Sequence, residues 1–358
     1  MGIEKPSLEI NLTLFNKNII FERKNYLTNE LLIIDGQPGC GKTLFSSIFS
    51  SFKRVEILNY AFEIEWIAKL FKMNKISEDA AKSLISMFID HKLYQTMMGR
   101  ETNFRFRDLS SVFKNPFPLR YFLRIFSEGD RTIPNKINKE KPILSLTTHD
   151  LLDFSDIIFD VFNNRLTYVE IVRHPLYMIK QESINMTELI NNNPRDVSLY
   201  YNYKDMSLPY FARGWEELFV KSNNIEKAIY SAENSYFSNK KKRLTLKNKD
   251  FKYITIPFEK FVLNPDNYLS QVLKFMNTEF SSKSKKTLFK QKIPRKKIAD
   301  GISLNIYKRY LWEPSKKNTT EKDELNLRRN WVIKSGANKK AVETLDKISE
   351  DYENSFLN

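Results

Sequence analysis

Gly36, Gly39, Gly41, Lys42 and Thr43 have the spacing most suggestive of chemistry, within Gly36-Gln37-Pro38-Gly39-Cys40-Gly41-Lys42-Thr43. The run matches G-x-x-x-x-G-K-[ST], a phosphate-binding loop. Its glycines let successive backbone N–H groups turn inward and line an anion nest. A helix starting beyond them adds its N-terminal dipole and unpaired donors. Lys42 supplies a point charge for the outermost oxygens, and Thr43 a hydroxyl able to ligate a metal. Cys40 is the one cysteine of the chain, and it reads as a small filler in this loop rather than a redox centre.

The loop alone does not say whether its phosphate is transferred or only gripped. An ATP-dependent enzyme of this kind also uses magnesium, with a second carboxylate at the end of a nearby apolar strand. Asp150 follows "ILSLTTH" and Glu170 lies inside "LTYVEIVR"; neither makes a clean pattern of an apolar run closed by Asp. A P-loop kinase using Mg-ATP therefore stays open but weakened. A non-catalytic nucleotide-binding protein with a basic surface is a third reading. His91, His149 and His174 are scattered, and with one cysteine they make no metal site.

Two further stretches follow the loop. "VEIVRHPLYMIKQ" puts Arg173 at the end of an apolar run, ahead of a helix started by Pro175. "ITIPFEKFVLNPDNYLSQVLKFM" puts Phe258, Glu259, Lys260 and Phe261 after a strand, then Pro265 and an amphipathic helix. In this order behind a phosphate loop, these pieces resemble the P-loop sulfotransferase family over about 31–301. That family has "R-x-P" before a helix with a serine, then a "Y-E-D-L-x-x-x-P" run.

The resemblance implies a donor, 3′-phosphoadenosine 5′-phosphosulfate (PAPS), and transfer of its sulfuryl group to an acceptor hydroxyl or amine without a metal. Gly36, Gln37, Pro38, Gly39, Cys40, Gly41, Lys42 and Thr43 would hold the 5′-phosphate, with Lys42 neutralising the bridging oxygen. Arg173 would meet the 3′-phosphate. The family's serine falls here on Gln181, with Ser183 two residues on. Arg295 and Lys296 stand where the family often has "R-K-G", but no glycine follows them. Thr148-His149 resembles the segment that supplies a histidine general base, with Thr147 in place of the lysine. A strand-end histidine satisfied by a backbone carbonyl is the competing reading. The acceptor is a small molecule or glycan; no nucleic acid partner is expected.

The elements that must position these residues alternate. Strands are expected at 18–24, 31–35, 55–58, 142–149, 166–175 and 253–261. Helices are expected from Lys42 to about Phe52, through most of 61–127, at about 155–162, 175–190 and from Asn264, and one opened by "SLPYFARGWEELFVKS". Alternation of this kind gives an α/β fold: a P-loop three-layer sandwich with a central parallel sheet. The helical passage at about 61–127 reads as an insertion and 302–358 as a charged helical C-terminal extension packed on the domain formed by 1–301.

Composition is consistent with such a unit. Of the 358 residues, 41% are hydrophobic and 13% aromatic, enough for a full core rather than disorder. A net charge of +15 draws anionic ligands, with clusters at Lys240–Arg243, Lys283–Lys286, Arg295–Lys297, Lys308–Arg309 and Lys316–Lys317. No transmembrane segment is expected, because no run of about 18 apolar residues occurs. The opening "MGIEKPSLEINLTLF" has no secretory signal pattern, so a cytoplasmic setting is expected.

Overall fold

The computed structural model describes residues 19–108, 110–127, 129–190, 196–301 and 319–358. "ELLIID" is apolar on both faces and forms β1 (Glu30–Asp35), buried from Leu31 onward. The glycine-rich turn leads into α1 (Lys42–Phe49). A short β2 (Asn59–Tyr60) precedes α2 (Phe62–Lys72), α3 (Glu78–Met98), α4 (Pro118–Arg124) and α5 (Ile133–Glu140). β3 (Ile143–Thr147), α6 (Asp156–Phe162), β4 (Leu166–Val172) and α7 (Pro175–Ile190) follow. Then come β5 (Tyr200–Tyr203), β6 (Met206–Pro209), α8 (Glu216–Lys221), α9 (Asn224–Lys247) and β7 (Lys252–Pro257). α10 (Phe258–Leu263), α11 (Asp266–Phe275), α12 (Ser284–Lys290), α13 (Glu321–Lys334) and α14 (Lys339–Tyr352) complete the described elements.

The central sheet is parallel with strand order β2-β3-β1-β4-β7, so the fold is α/β as expected. Ile34 pairs with Thr147, Asp35 with Glu170 and Val172 with Pro257. That register brings the carboxyl ends of β1, β3 and β4 level. The order turns about β1, and open parallel sheets bind ligands in the crevice beyond such a point.

Side-chain alternation along β1 divides the core. Leu31 and Ile33 enter one cluster, with Ile64, Ile85, Leu146 and Tyr168. Leu32 and Ile34 enter the other, with Phe45, Phe49, Ile171, Ile256 and Phe261. A third cluster joins Ile179 of α7 and Ile229 of α9 to Val332, Leu345, Ile348 and Tyr352 of α13 and α14. Thr320 and Asn338 cap these last two helices through their side chains.

Several sequence expectations give way. No strand forms at 19–24: the Phe21 N–H donates to Asp79, and Arg23 makes a two-point contact with Asp90. A carboxylate of α3 thus takes the Phe21 N–H that a ladder would have used, and another holds the Arg23 side chain. Val55 makes a lone parallel bridge to Ile143, and strand pairing resumes only at Asn59, because the chain turns the Glu56 carboxylate inward to Arg120 and Arg124. Met206–Pro209 is one arm of an antiparallel hairpin with Tyr200–Tyr203, and the helix from this stretch is confined to Glu216–Lys221. β7 gives way to helix at Phe258. The helical passage after β2 continues to Glu140. Residues 302–318, with their two lysine-rich clusters, lie outside the described residues, as does the opening segment. Among the described residues no helix is long and apolar enough to cross a membrane.

Candidate active site

β1 ends in a carboxylate that organises the crevice floor. Asp35 is fully buried. It accepts the Thr148 hydroxyl at 2.8 Å, the Tyr168 hydroxyl at 2.7 Å and the N–H groups of Leu151 and Leu152. It therefore ties β1, β4 and the turn after β3 together.

The loop beyond it needs its glycines. Gly36 has φ +145°, and a Cβ there would lie 2.3 Å from the Ile171 carbonyl oxygen. At Gly41 (φ +104°) a Cβ would meet the Phe258 ring at 2.5 Å. Lys42 opens α1 with its ammonium donating to the carbonyls of Gly36 and Gln37. Cys40 is buried, and burial pushes its thiol pKa up, in keeping with a filler. Thr43 is half-buried.

Arg173 closes β4 beside this loop. Its Nη1 donates to the Gly39 carbonyl at 3.0 Å. Its guanidinium lies 4.2 Å from the Phe258 ring and 4.7 Å from the Tyr177 ring. Its Nε is buried without a hydrogen-bond acceptor among the described residues. Arg295 approaches the same aromatic, 5.5 Å from the Phe258 ring, with Nη1 donating to Ile298 O at 2.9 Å. Its backbone N–H is held on Val262 O. Gln181 reaches the loop from α7, with Oε1 3.2 Å from where a Gly39 Cβ would be. Ser183 instead donates to Lys180 O within its own helix. Lys296 is exposed on the turn. The loop, Arg173, Gln181 and Arg295 thus share one locality, with Phe258 in its middle.

The turn that carries Arg173 is locked from behind. The His174 N–H donates to Glu259 at 3.1 Å, and the Tyr352 hydroxyl donates to the same carboxylate. His174 Nδ1 accepts the Leu176 N–H, so Nε2 is the nitrogen that donates to Glu353. Burial pushes the His174 pKa down. His174 is a structural residue.

His149 stands past the end of β3. Its ring stacks on Phe62 at 5.3 Å and 2°, and on Tyr60 at 6.0 Å. Its Nδ1 is 3.1 Å from Glu65 Oε1. The other Glu65 oxygen pairs with Lys69 at 3.4 Å, and Lys69 lies over the Tyr210 ring. A carboxylate partner assigns the proton to Nδ1, leaving Nε2 as an acceptor. Among the described residues no backbone carbonyl is bonded to the ring.

Two carboxylates complete the electrostatics around the loop. The Asp150 N–H donates to Gly36 O at 3.2 Å, and its carboxylate accepts from Asn239 at 2.8 Å. Burial and neighbouring Asp35 push its pKa up. Glu182 is pushed up to about 7 by burial, with Asp150 adding and Lys42 opposing. Among the described residues no group of three or more His, Cys, Asp or Glu side chains gathers as a metal site.

Sequence reasoning did not find Glu65, Glu182 or the role of Phe258. Glu65 lies 84 positions from His149 and carries no local signal. Glu182 adjoins Gln181, so a search of α7 for titratable neighbours would have reached it.

No family model matches the chain, and no curated protein matches it. Solved structures do. The chain is similar to the sulfotransferase domain of the Synechococcus PCC 7002 olefin synthase, with 11% identity and a TM-score of 0.35, covering 88% of this chain and 98% of that one. It is similar to the sulfotransferase domain from the curacin biosynthetic pathway at 13% identity and TM-score 0.39, over 85% and 97% of the two chains. Against sulfotransferase STF9 from Mycobacterium avium the values are 13% and 0.41, over 92% of this chain and 77% of that chain.

Proposed function

We propose that the chain is a sulfotransferase that moves the sulfuryl group of PAPS to an acceptor hydroxyl or amine. The observation that carries the reading is Arg173, a guanidinium bonded to the loop at Gly39 with a buried Nε that finds no acceptor among the described residues. A nucleotide with two separate phosphates fits a loop with a second cation beside it.

In this reading the loop amides and Lys42 hold the 5′-phosphate, and Arg173 with Arg295 holds the 3′-phosphate, where a planar fork gives two-point contact. The acceptor oxygen or nitrogen forms a bond to sulfur as the sulfur bond to the bridging oxygen breaks. His149 Nε2 takes the acceptor proton. The leaving bisphosphate carries the electron pair of the broken bond, and Lys42 stabilises that charge. The site lies within 19–301, and α13 and α14 pack on that unit through Val332, Leu345, Ile348 and Tyr352.

A Mg-ATP kinase is the second reading, favoured by the complete G-K-T loop, by Glu182 near Lys42 and by Asp150, whose N–H donates to Gly36 of the loop. Thermal unfolding with ligand separates the two. Ligand at about a hundredfold excess over its Kd adds ~2.7 kcal/mol. Adenosine 3′,5′-bisphosphate is expected to raise Tm without magnesium, and Arg173→Ala to abolish the shift. A larger shift with Mg-ATP, unaffected by Arg173→Ala, would overturn the sulfotransferase reading.

A further inference from the structure

The helix α4 is built inside out. Its charged residues point inward: Arg124 is buried and grips Glu56 at 2.8 and 2.9 Å, and Arg120 joins at 2.6 Å. Tyr121 packs with Val112 and Ile57 in a small core of its own. The outward face carries Leu119 (71% exposed) and Leu123 (64%), and Phe126 (72%) lies just past the helix end. The adjoining turn adds Phe106 (68%) and Phe113, whose rings touch at 5.4 Å. The two pieces pack together through the turn at Val112–Lys114.

Single exposed apolar side chains are ordinary, but a contiguous group of this size marks an interaction surface. The helix has placed polar side chains in the core and apolar ones in water, which folding alone does not favour. Arg100, Arg105, Arg107, Lys114 and Arg131 are exposed on the same segments. Of the acids described there, Glu101 pairs with Lys92, Asp108 with Arg105, and Asp130 takes the Tyr94 hydroxyl.

We propose that this surface docks on an anionic lipid bilayer, with Leu119, Leu123, Phe126 and Phe106 entering the headgroup boundary and the arginines meeting lipid phosphates. Basic residues around an apolar face are the chemistry of interfacial binding. Charge selects the bilayer over a second copy. A two-fold dimer through this patch would oppose one basic rim to another, in a chain whose net charge is already +15.

The test is flotation of the full chain with vesicles of phosphatidylcholine, alone or with about 30% phosphatidylserine. Wild type is expected to float with the anionic vesicles and to be released by high salt. Leu119→Glu with Leu123→Glu is expected to weaken retention about tenfold or more, and so is Arg107→Glu, with melting curves unchanged because these side chains are exposed. Lys42→Ala is expected to float as wild type does, which separates the surface from the phosphate loop. Equal flotation of wild type and the surface variants overturns the proposal. So does absence of flotation with either vesicle, loss of retention in Lys42→Ala, or a dimer that the leucine variants dissociate.

Discussion

The Tyr352 hydroxyl donates to the Glu259 carboxylate at 2.6 Å, across 93 positions of chain. The other oxygen of that carboxylate holds the His174 N–H. One buried acid thus joins the last described α-helix to the turn that aims Arg173. Tyr352→Phe removes a bond to a charged group, worth about 1.5–3 kcal/mol. Urea unfolding is expected to show a stability lowered by that amount, read as a midpoint at lower urea, with bisphosphate affinity reduced because the Arg173 turn is less fixed. An unchanged midpoint would mean the C-terminal helix is held by apolar packing alone.

His149→Ala is expected to lower kcat about 10²–10⁴-fold, the usual worth of a positioned acid–base group. Bisphosphate affinity should stay as in wild type, since His149 faces Phe62, Tyr60 and Glu65 rather than the loop. Glu65→Ala should lower kcat less, by losing the tautomer and not the base. Steady-state rates with titration of the bisphosphate check both. Normal turnover in His149→Ala would remove this residue from the reaction.

What was legible in the sequence was local. The tight turn at Gly36–Gly41 is written in glycine spacing, and Pro175 marks the start of α7, because backbone geometry leaves few residue types at such points. The strand from Leu31 to Asp35 reads from an unbroken apolar run. The hairpin of Tyr200–Pro209 did not read as strand, since its four-residue arms are half exposed and too short for periodicity. Asn18–Lys24 misled because an apolar-then-charged run also suits a segment laid across a helix, as the Arg23–Asp90 pair shows. Glu65 and Phe258 acquire their positions from packing between distant elements, which no spacing rule records.

Glu182 gives the protein a pH dependence of definite sign. Burial raises its pKa from an ordinary 4.5 to about 7. Below 4.5 it is protonated folded and unfolded alike. As pH climbs towards 7 the unfolded chain ionises first, so stability falls by up to about 3 kcal/mol. Glu182→Gln is expected to flatten this descent and to be more stable than wild type above pH 7. His174, held below its ordinary pKa by burial, acts the other way, lowering stability as pH falls through 6.5. The difference between variant and wild-type curves isolates Glu182. Parallel curves from urea unfolding across this range would refute the assignment.

The Glu56–Arg124 pair sets how firmly the proposed docking surface is held. Burial alone would raise the Glu56 pKa, but Arg124 and Arg120 more than reverse it, and the carboxyl is held below its ordinary range. Glu56→Gln leaves the buried Arg124 guanidinium without its counter-charge, which costs about 3–5 kcal/mol. Pairing Glu56→Leu with Arg124→Met removes both fully buried charges, leaving the part-exposed Arg120 to turn to solvent, and a well-packed apolar replacement is often neutral. The double variant is therefore expected to recover most of the stability lost by Glu56→Gln in urea unfolding. Limited proteolysis adds a spatial readout: Glu56→Gln should open cleavage near Arg120 and Arg131, because α4 depends on this pair for its seat. If Glu56→Gln is as stable as wild type, the pair does not hold α4, and its inverted face must be held by Tyr121 and Val112 alone.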